Sequence, residues 1–460
     1  MNTTDPPTDE PATSTTADGE SALAWWDAAS LTASAQSLSL DVTSTAQPVV
    51  PDLLAERPRR SPLRPGVLVP IGLVVAVVLA YCVSMAVWPL TAVAPTVAKA
   101  ELQPVAAKAA VIQWPKDGAA GVGVEGLGDP AASTADQSAI ASITKVVTAL
   151  MVLDESPVTA KKQGQEFAFT YNDMLDYWRY RARGESALDV PVGASLTEYQ
   201  VLQGMLIGSA NNYAARLGAT WWGSDATFAS AANSWLHTRG ISGITIADPT
   251  GFDIGNTATP TALIDVAELA MANPVIAGIV KTKKLTLPGA GKVENTNELL
   301  ADTGVVGLKT GSLDGYNLLA AKNVEIDGTE VRMYSVVLNE PTDKRRWAAS
   351  RDLLAQLQKQ LQASPSVPAG STVGTVHTRW GETAPITTAK DASVVLWNGA
   401  SAKVTTTLHF GDWTDGAKAG TLTASGPLNS STVTVRLDAE LTGPDLWWRL
   451  THPLDLLGIG

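Results

Sequence analysis

A single cysteine, Cys82, stands among the 460 residues of this chain. No internal disulfide is available, so the chain falls outside the disulfide-stapled class, and cysteine-rich zinc sites and iron–sulfur clusters are excluded with it. Histidine is nearly as sparse, with four residues, and no His/Asp/Glu cluster has metal-ligand spacing. The chemistry expected of such a chain uses neither metal nor cofactor. Basic residues are missing from residues 1–56, where nine acidic residues stand. Beyond residue 64 the chain is mildly acidic without a Lys/Arg stripe, which argues against nucleic acid as a partner. Charge of either sign is missing between Gly66 and Leu90.

The remaining composition, 45% hydrophobic and 17% charged, suits a globular protein with a sizeable core. The length leaves room for two to four units of about 100–200 residues each. Residues 1–64, rich in Thr, Ser, Pro and acids, read as a disordered tail with one apolar island at Leu23-Ala24-Trp25-Trp26. The uncharged stretch is apolar on every helical face and long enough to cross a hydrocarbon core of about 30 Å, so residues 65–90 read as a transmembrane helix. Arg57, Arg59, Arg60 and Arg64 precede it and the first following cation is Lys99. The positive-inside bias places the tail in the cytoplasm and the rest outside, as a single-pass protein of the cell membrane. Cys82 falls within the span.

Residues 91–110 read as a stalk, and 111–363 as a mixed helix and strand domain. Helical spacing covers Ser142–Met151, Thr197–Leu206, Thr261–Met271 and Trp347–Leu361. Strand-like runs are Val305–Leu308, Asn317–Ala321 and Val331–Leu338, the last long enough to be central. After the turn-rich Ser364–Gly370, residues 364–460 lose helical periodicity and alternate, as in Val404–Phe410 and Val433–Leu437. That predicts a small all-β sandwich. Trp397, Trp413, Trp447 and Trp448 are expected in its interior. Tyr171, Tyr177, Trp178 and Tyr180 are read as packing on a neighbouring element.

Three motifs occur once each and in order: Ser142-Ile143-Thr144-Lys145, Ser209-Ala210-Asn211 and Lys309-Thr310-Gly311. Each alone is common, and the ordered set is specific. Serine attacks only when a base takes its proton, and residues at i and i+3 share a helix face, so Lys145 can serve Ser142. That requires a neutral amine, which burial and the second cation Lys309 would favour. Ser209 can relay a proton to a leaving amine, and Asn211 can hold Lys145 and a substrate amide. Lys309 can stabilise developing negative charge, Thr310 can offer a hydroxyl to a terminal carboxylate, and Gly311 can admit a close backbone approach. His237 reads as a solvated helix-end residue, which leaves a Ser-His-Asp triad without its histidine.

The set resembles the signature of the penicillin-binding and active-site serine β-lactamase superfamily. More narrowly, with Asp248-Pro249-Thr250-Gly251-Phe252 and Asn295–Leu300, it resembles the D-alanyl-D-alanine carboxypeptidases over about residues 120–360. Ala210 departs from the Gly common there, and an N-terminal anchor replaces the C-terminal amphipathic helix of many relatives. The resemblance implies an α+β domain with an antiparallel sheet flanked by helices. It implies a serine peptidase that removes the terminal D-Ala from peptidoglycan stem peptides ending in D-Ala-D-Ala, with β-lactams as covalent inhibitors. It also implies an oxyanion hole from the backbone N–H groups of Ser142 and Ser312, and a substrate-side arginine at Arg346. A class A-like β-lactamase and a non-catalytic penicillin-binding scaffold are the alternatives. The first lacks a Glu suitably placed after the second motif, and the second sits poorly with a complete reactive set.

Overall fold

The computed structural model describes residues 65–361, 364–409 and 411–459. The tail read over 1–64, with its apolar island and four arginines, lies outside the described residues. The chain divides into an N-terminal unit ending at Val75 and a unit running from Ala76 to Gly460. The apolar segment forms the helix Pro65–Val87, with Pro70 inside it. It stops three residues short of the expected end, at Trp88-Pro89, and a 3-10 turn over Leu90–Val93 follows.

A five-stranded antiparallel sheet organises the larger unit. Its order is Val305–Ser312, Tyr316–Ile326, Thr329–Glu340, Ala119–Val124, Ala131–Ala132. Thr329–Glu340 is indeed central. Its side chains alternate between two cores: Val331, Met333 and Val337 belong to one, and Tyr334, Val336 and Leu338 to the other. A strand buried on both faces has no polar face to show, which explains the nearly continuous apolar runs. Helix Asp343–Gln360 covers the first face through Trp347, Leu353, Leu354 and Leu357. The helical assembly covers the second, and the helix Thr144–Glu155 is buried from Thr144 through Leu153 in its middle.

Local signals set most helix starts. Thr197 caps Glu198–Ile207, its side chain accepting from the Gln200 N–H while Gln200 reaches back, a reciprocal arrangement that satisfies two orphan donors. Thr259 caps Pro260–Ala272. Thr342 starts the last long helix at Asp343, four residues ahead of the expected Trp347, because the polar first turn hid the start. Ser142 lies in a 3-10 turn, Ala141–Ile143, just ahead of the α-helix that the spacing placed around it.

The segment read as a stalk is instead ordered against the C-terminal residues. Thr96–Lys99 pairs antiparallel with Thr372–His377, and the Val105 and Ala107 N–H groups donate to Ser366 and Ala400. Thr96–Lys99 is the edge of a six-stranded sheet that continues through Thr372–His377, Thr383–Thr388, Ser430–Leu437, Lys418–Ser425 and Lys403–Leu408. A ribbon of Ser364–Val367 with Ala392–Val394 shares its core. Of the four tryptophans expected inside, Trp397 is buried but lies in the core beneath the five-stranded sheet. Trp413 and Trp448 are half-buried, and Trp447 is 74% exposed. Tyr171 and Trp178 are exposed as well, since helix Tyr171–Ala182 buries no residue fully.

Candidate active site

Ser142 stands at the N-terminal end of the buried helix, where unsatisfied N–H groups and the helix dipole favour negative charge. Its turn is fixed from two sides. Ala141 has φ +49°. A Cβ on Gly251 would sit 1.9 Å from the Ala141 carbonyl oxygen, and one on Gly311 2.7 Å from that of Ile140 and 3.2 Å from the Ser142 nitrogen. Both glycines are required for the loop and the strand to close on the Ser142 turn. Asn317 ties the neighbouring strand to the same turn, donating to the Ala139 carbonyl at 2.9 Å and accepting from the Asn339 N–H at 2.7 Å.

Lys145 is fully buried, and its Nζ lies 2.8 Å from Ser142 Oγ. Nζ also donates to Asn211 Oδ1 and to the Thr250 carbonyl, both at 2.5 Å. Those two partners can only accept. In the neutral amine they take both N–H groups, and the lone pair is left facing the serine hydroxyl. Burial holds the Lys145 amine at about pKa 7, against the opposing pull of Asp248 and then Glu185. A base of that pKa is about half unprotonated at pH 7 and strong enough to take a proton.

The acceptor loop is built by Asp248. Its Oδ1 receives the Thr250 N–H, the Thr250 hydroxyl and the Gly251 N–H, and its Oδ2 the Asp253 N–H. This wraps Asp248–Asp253 around one carboxylate and points the Thr250 carbonyl at Lys145.

Ser209, at φ +57°, links helix Glu198–Ile207 to helix Asn211–Trp222. Its Oγ accepts from Lys309 Nζ at 3.0 Å, and Lys309 also donates to the Thr310 carbonyl at 2.9 Å. Burial pushes the Lys309 amine well below the usual lysine range, helped by Lys145 and Arg346. Ala210, the departure from the usual Gly, is simply buried. Thr310 Oγ1 lies 2.5 Å from Thr296 Oγ1, so the Asn295–Leu300 segment positions that hydroxyl.

Arg346 reaches the same strand from helix Asp343–Gln360. Its Nη1 donates to the Gly311 carbonyl, Ser312 Oγ and the Asn317 carbonyl at 3.0, 3.1 and 3.2 Å, and Nη2 pairs with Asp343. Most of its donors therefore brace the strand end, and the Ser312 hydroxyl is its link to the cleft. All nine residues singled out in the sequence thus lie along one chain of contacts. His237 is exposed in the last turn of its helix.

One participant was not legible in the sequence. Glu185, whose side chain is 1% exposed, accepts from Asn211 Nδ2 at 2.5 Å and from Arg183 Nε at 2.7 Å.

Residues 131–342 match the family model described as D-alanyl-D-alanine carboxypeptidase. Among curated proteins, the D-alanyl-D-alanine carboxypeptidase DacA of Escherichia coli strain K12 is 28% identical over 221 residues, covering 46% of this chain and 53% of the relative. DacB2 of Mycobacterium tuberculosis, with the same description, is 32% identical over 179 residues, covering 37% and 57%. The chain spans about half the length of these curated relatives. Among solved structures, penicillin binding protein 5 from Haemophilus influenzae aligns with a TM-score of 0.50 at 17% identity, over 72% of this chain and 100% of that one. The D-alanyl-D-alanine carboxypeptidase DacD from Francisella tularensis gives 0.50 at 18%, over 75% and 98%. At those identities the likeness concerns the fold. The family match holds every motif residue from Ser142 to Ser312.

Proposed function

We propose that this chain is a membrane-anchored serine D-alanyl-D-alanine carboxypeptidase acting on peptidoglycan stem peptides. The observation that carries the reading is the Lys145 amine, 2.8 Å from Ser142 Oγ with two acceptor-only partners on its other valences. In acylation, Lys145 Nζ takes the Ser142 proton as Oγ bonds to the carbonyl carbon of the penultimate D-Ala. The negative charge on that carbonyl oxygen is held by the Ser142 and Ser312 N–H groups. When the C–N bond breaks, the proton held on Lys145 passes by way of the Ser209 hydroxyl, which Lys309 holds in place, to the departing D-Ala amine, and Lys145 is neutral again. Water then attacks the ester carbonyl carbon as Lys145 takes its proton, and Lys145 returns that proton to Ser142 Oγ as the ester C–O bond breaks. Thr310, with Ser312 and Arg346 behind it, receives the terminal carboxylate. β-Lactams are expected to acylate the same serine.

The layout follows the same reading. The uncharged apolar helix Pro65–Val87 spans the membrane once with the arginine-flanked tail in the cytoplasm. The peptidase domain then covers residues 111–363 and a β-domain 364–460, both outside. A β-lactamase draws no support from the two carboxylates nearest the base, since Asp248 is enclosed by its own loop and Glu185 is paired with Asn211 and Arg183.

The test is labelling of the full chain with a fluorescent penicillin, alongside D-alanine release from a free-acid D-Ala-D-Ala peptide. The carboxypeptidase reading requires a lasting label that Ser142→Ala abolishes, together with D-alanine release. A fleeting label with rapid penicillin turnover would mean a β-lactamase, and no label a scaffold.

A further inference from the structure

Glu185 sits just after helix Tyr171–Ala182, in the segment that leads to the strand Ser195–Thr197, with its carboxylate turned inward. Its backbone is pinned by its own N–H on the Tyr180 carbonyl at 3.0 Å, and the next residue accepts the Asn211 N–H at 2.8 Å. Both carboxylate oxygens are occupied, Oε1 by Arg183 and Oε2 by Asn211. Arg183 lies over the Tyr180 ring at 4.9 Å, and its side chain is 57% exposed. A contact path therefore runs from the surface through Arg183, Glu185 and Asn211 to Lys145.

A carboxamide presents an oxygen and an NH2 group of nearly equal size, so packing alone does not choose between its two orientations. At Asn211 the choice decides the chemistry. With Oδ1 toward Lys145, the amine donates to it and keeps its lone pair for Ser142. Turned over, Nδ2 would donate to that lone pair and compete with the serine proton. The turned form would also set Oδ1 against Glu185 Oε2, two acceptors facing each other. We infer that Glu185 is a positioning residue for the base, holding the Asn211 carboxamide in the one orientation that leaves Lys145 free to accept from Ser142. This rests on the serine-acylation reading above.

The charged groups facing Lys145 are the carboxylates of Asp248 and Glu185 and the amine of Lys309, with Arg183 behind Glu185. Glu185→Gln removes one of the two carboxylates that favour the protonated amine. It also replaces an acceptor-only group with one that can meet Asn211 in either orientation. The expected result, in stopped-flow acylation of the full chain in detergent micelles by a fluorescent penicillin, has two parts. The acylation rate constant at its alkaline plateau falls about 10- to 100-fold while the concentration for half-saturation hardly moves. The acid limb moves to lower pH by about one unit, since Lys145 loses its proton more readily.

Arg183→Gln supplies the contrast. It leaves the carboxylate in place and removes the cation that offsets it, so the plateau stays within about threefold of wild type and the acid limb moves upward. Opposite limb shifts, with a plateau loss confined to Glu185→Gln, support the assignment. A merely structural ion pair would lower both variants alike with unmoved limbs, and that result overturns it. Wild-type behaviour in both variants overturns it too. Wild-type protein that takes no label overturns the functional reading, and this assignment with it.

Discussion

Lys145→Met is the most informative single change, because it separates what the base does for catalysis from what it does to the fold. Methionine keeps the length of the side chain and loses the titrating amine. The native Lys145 amine lies at about 7, lowered from 10.5 by burial. Between those values the unfolded chain binds a proton that the folded chain does not, so stability rises with pH across the window. The penalty is absent above pH 10.5, grows as pH falls, and is complete below 7. At about 1.4 kcal/mol per pKa unit, the whole window amounts to about 5 kcal/mol. From pH 7.5 to 9.5 wild type should gain about 2.5 kcal/mol that the variant does not. The variant also strands Asn211 Oδ1 and the Thr250 carbonyl, at about 1–3 kcal/mol each, but that offset does not depend on pH. Working above pH 7.5 keeps the charged form of Lys145 from acting on Lys309, which both chains retain. The assay is urea unfolding in detergent micelles followed by tryptophan fluorescence at several pH values. Acylation should be abolished throughout. Parallel stability curves for the two chains between pH 7.5 and 9.5 would refute a depressed lysine, and with it the neutral base.

Two further changes probe the strand that faces the nucleophile. Gly311→Ala places a Cβ 2.7 Å from the Ile140 carbonyl oxygen and 3.2 Å from the Ser142 nitrogen. It should cost about 1–3 kcal/mol in stability and slow acylation by at least tenfold, read by thermal melting and penicillin labelling. Arg346→Ala should lower turnover of a free-acid D-Ala-D-Ala peptide about 30-fold or more beyond its effect on the C-terminal amide, if the guanidinium acts on the terminal carboxylate through Ser312. Equal losses on both peptides would assign Arg346 wholly to bracing Gly311 and Asn317.

What could be read from the sequence, and what could not, divides by the range of the interactions. The apolar helix Pro65–Val87, the helix Glu198–Ile207 with its Thr197 cap and the central strand are each encoded in neighbouring residues, by an uncharged apolar run, a capping pair and a long run rich in Val, Met, Tyr and Leu. The chemistry was legible for a related reason. Ser142 and Lys145 need each other one turn apart, and Lys309, Thr310 and Gly311 need consecutive places on one strand, so their spacing survives in the linear order. The edge strand Thr96–Lys99 left no such trace, because its partner begins at Thr372 and its own four residues look like any linker. Glu185 is the sharper case. A lone glutamate after Arg-Ala-Arg-Gly reads as surface, and its burial is decided by Asn211 and by the turn after helix Tyr171–Ala182 that carries it. The same carboxylate that no local pattern reveals bears on which way the Asn211 amide faces, and so on where the lone pair of Lys145 points. The local motifs supply the reactive groups, and their protonation and orientation are set by partners from elsewhere in the chain, Asp248 through Thr250 on one side and Glu185 through Asn211 on the other.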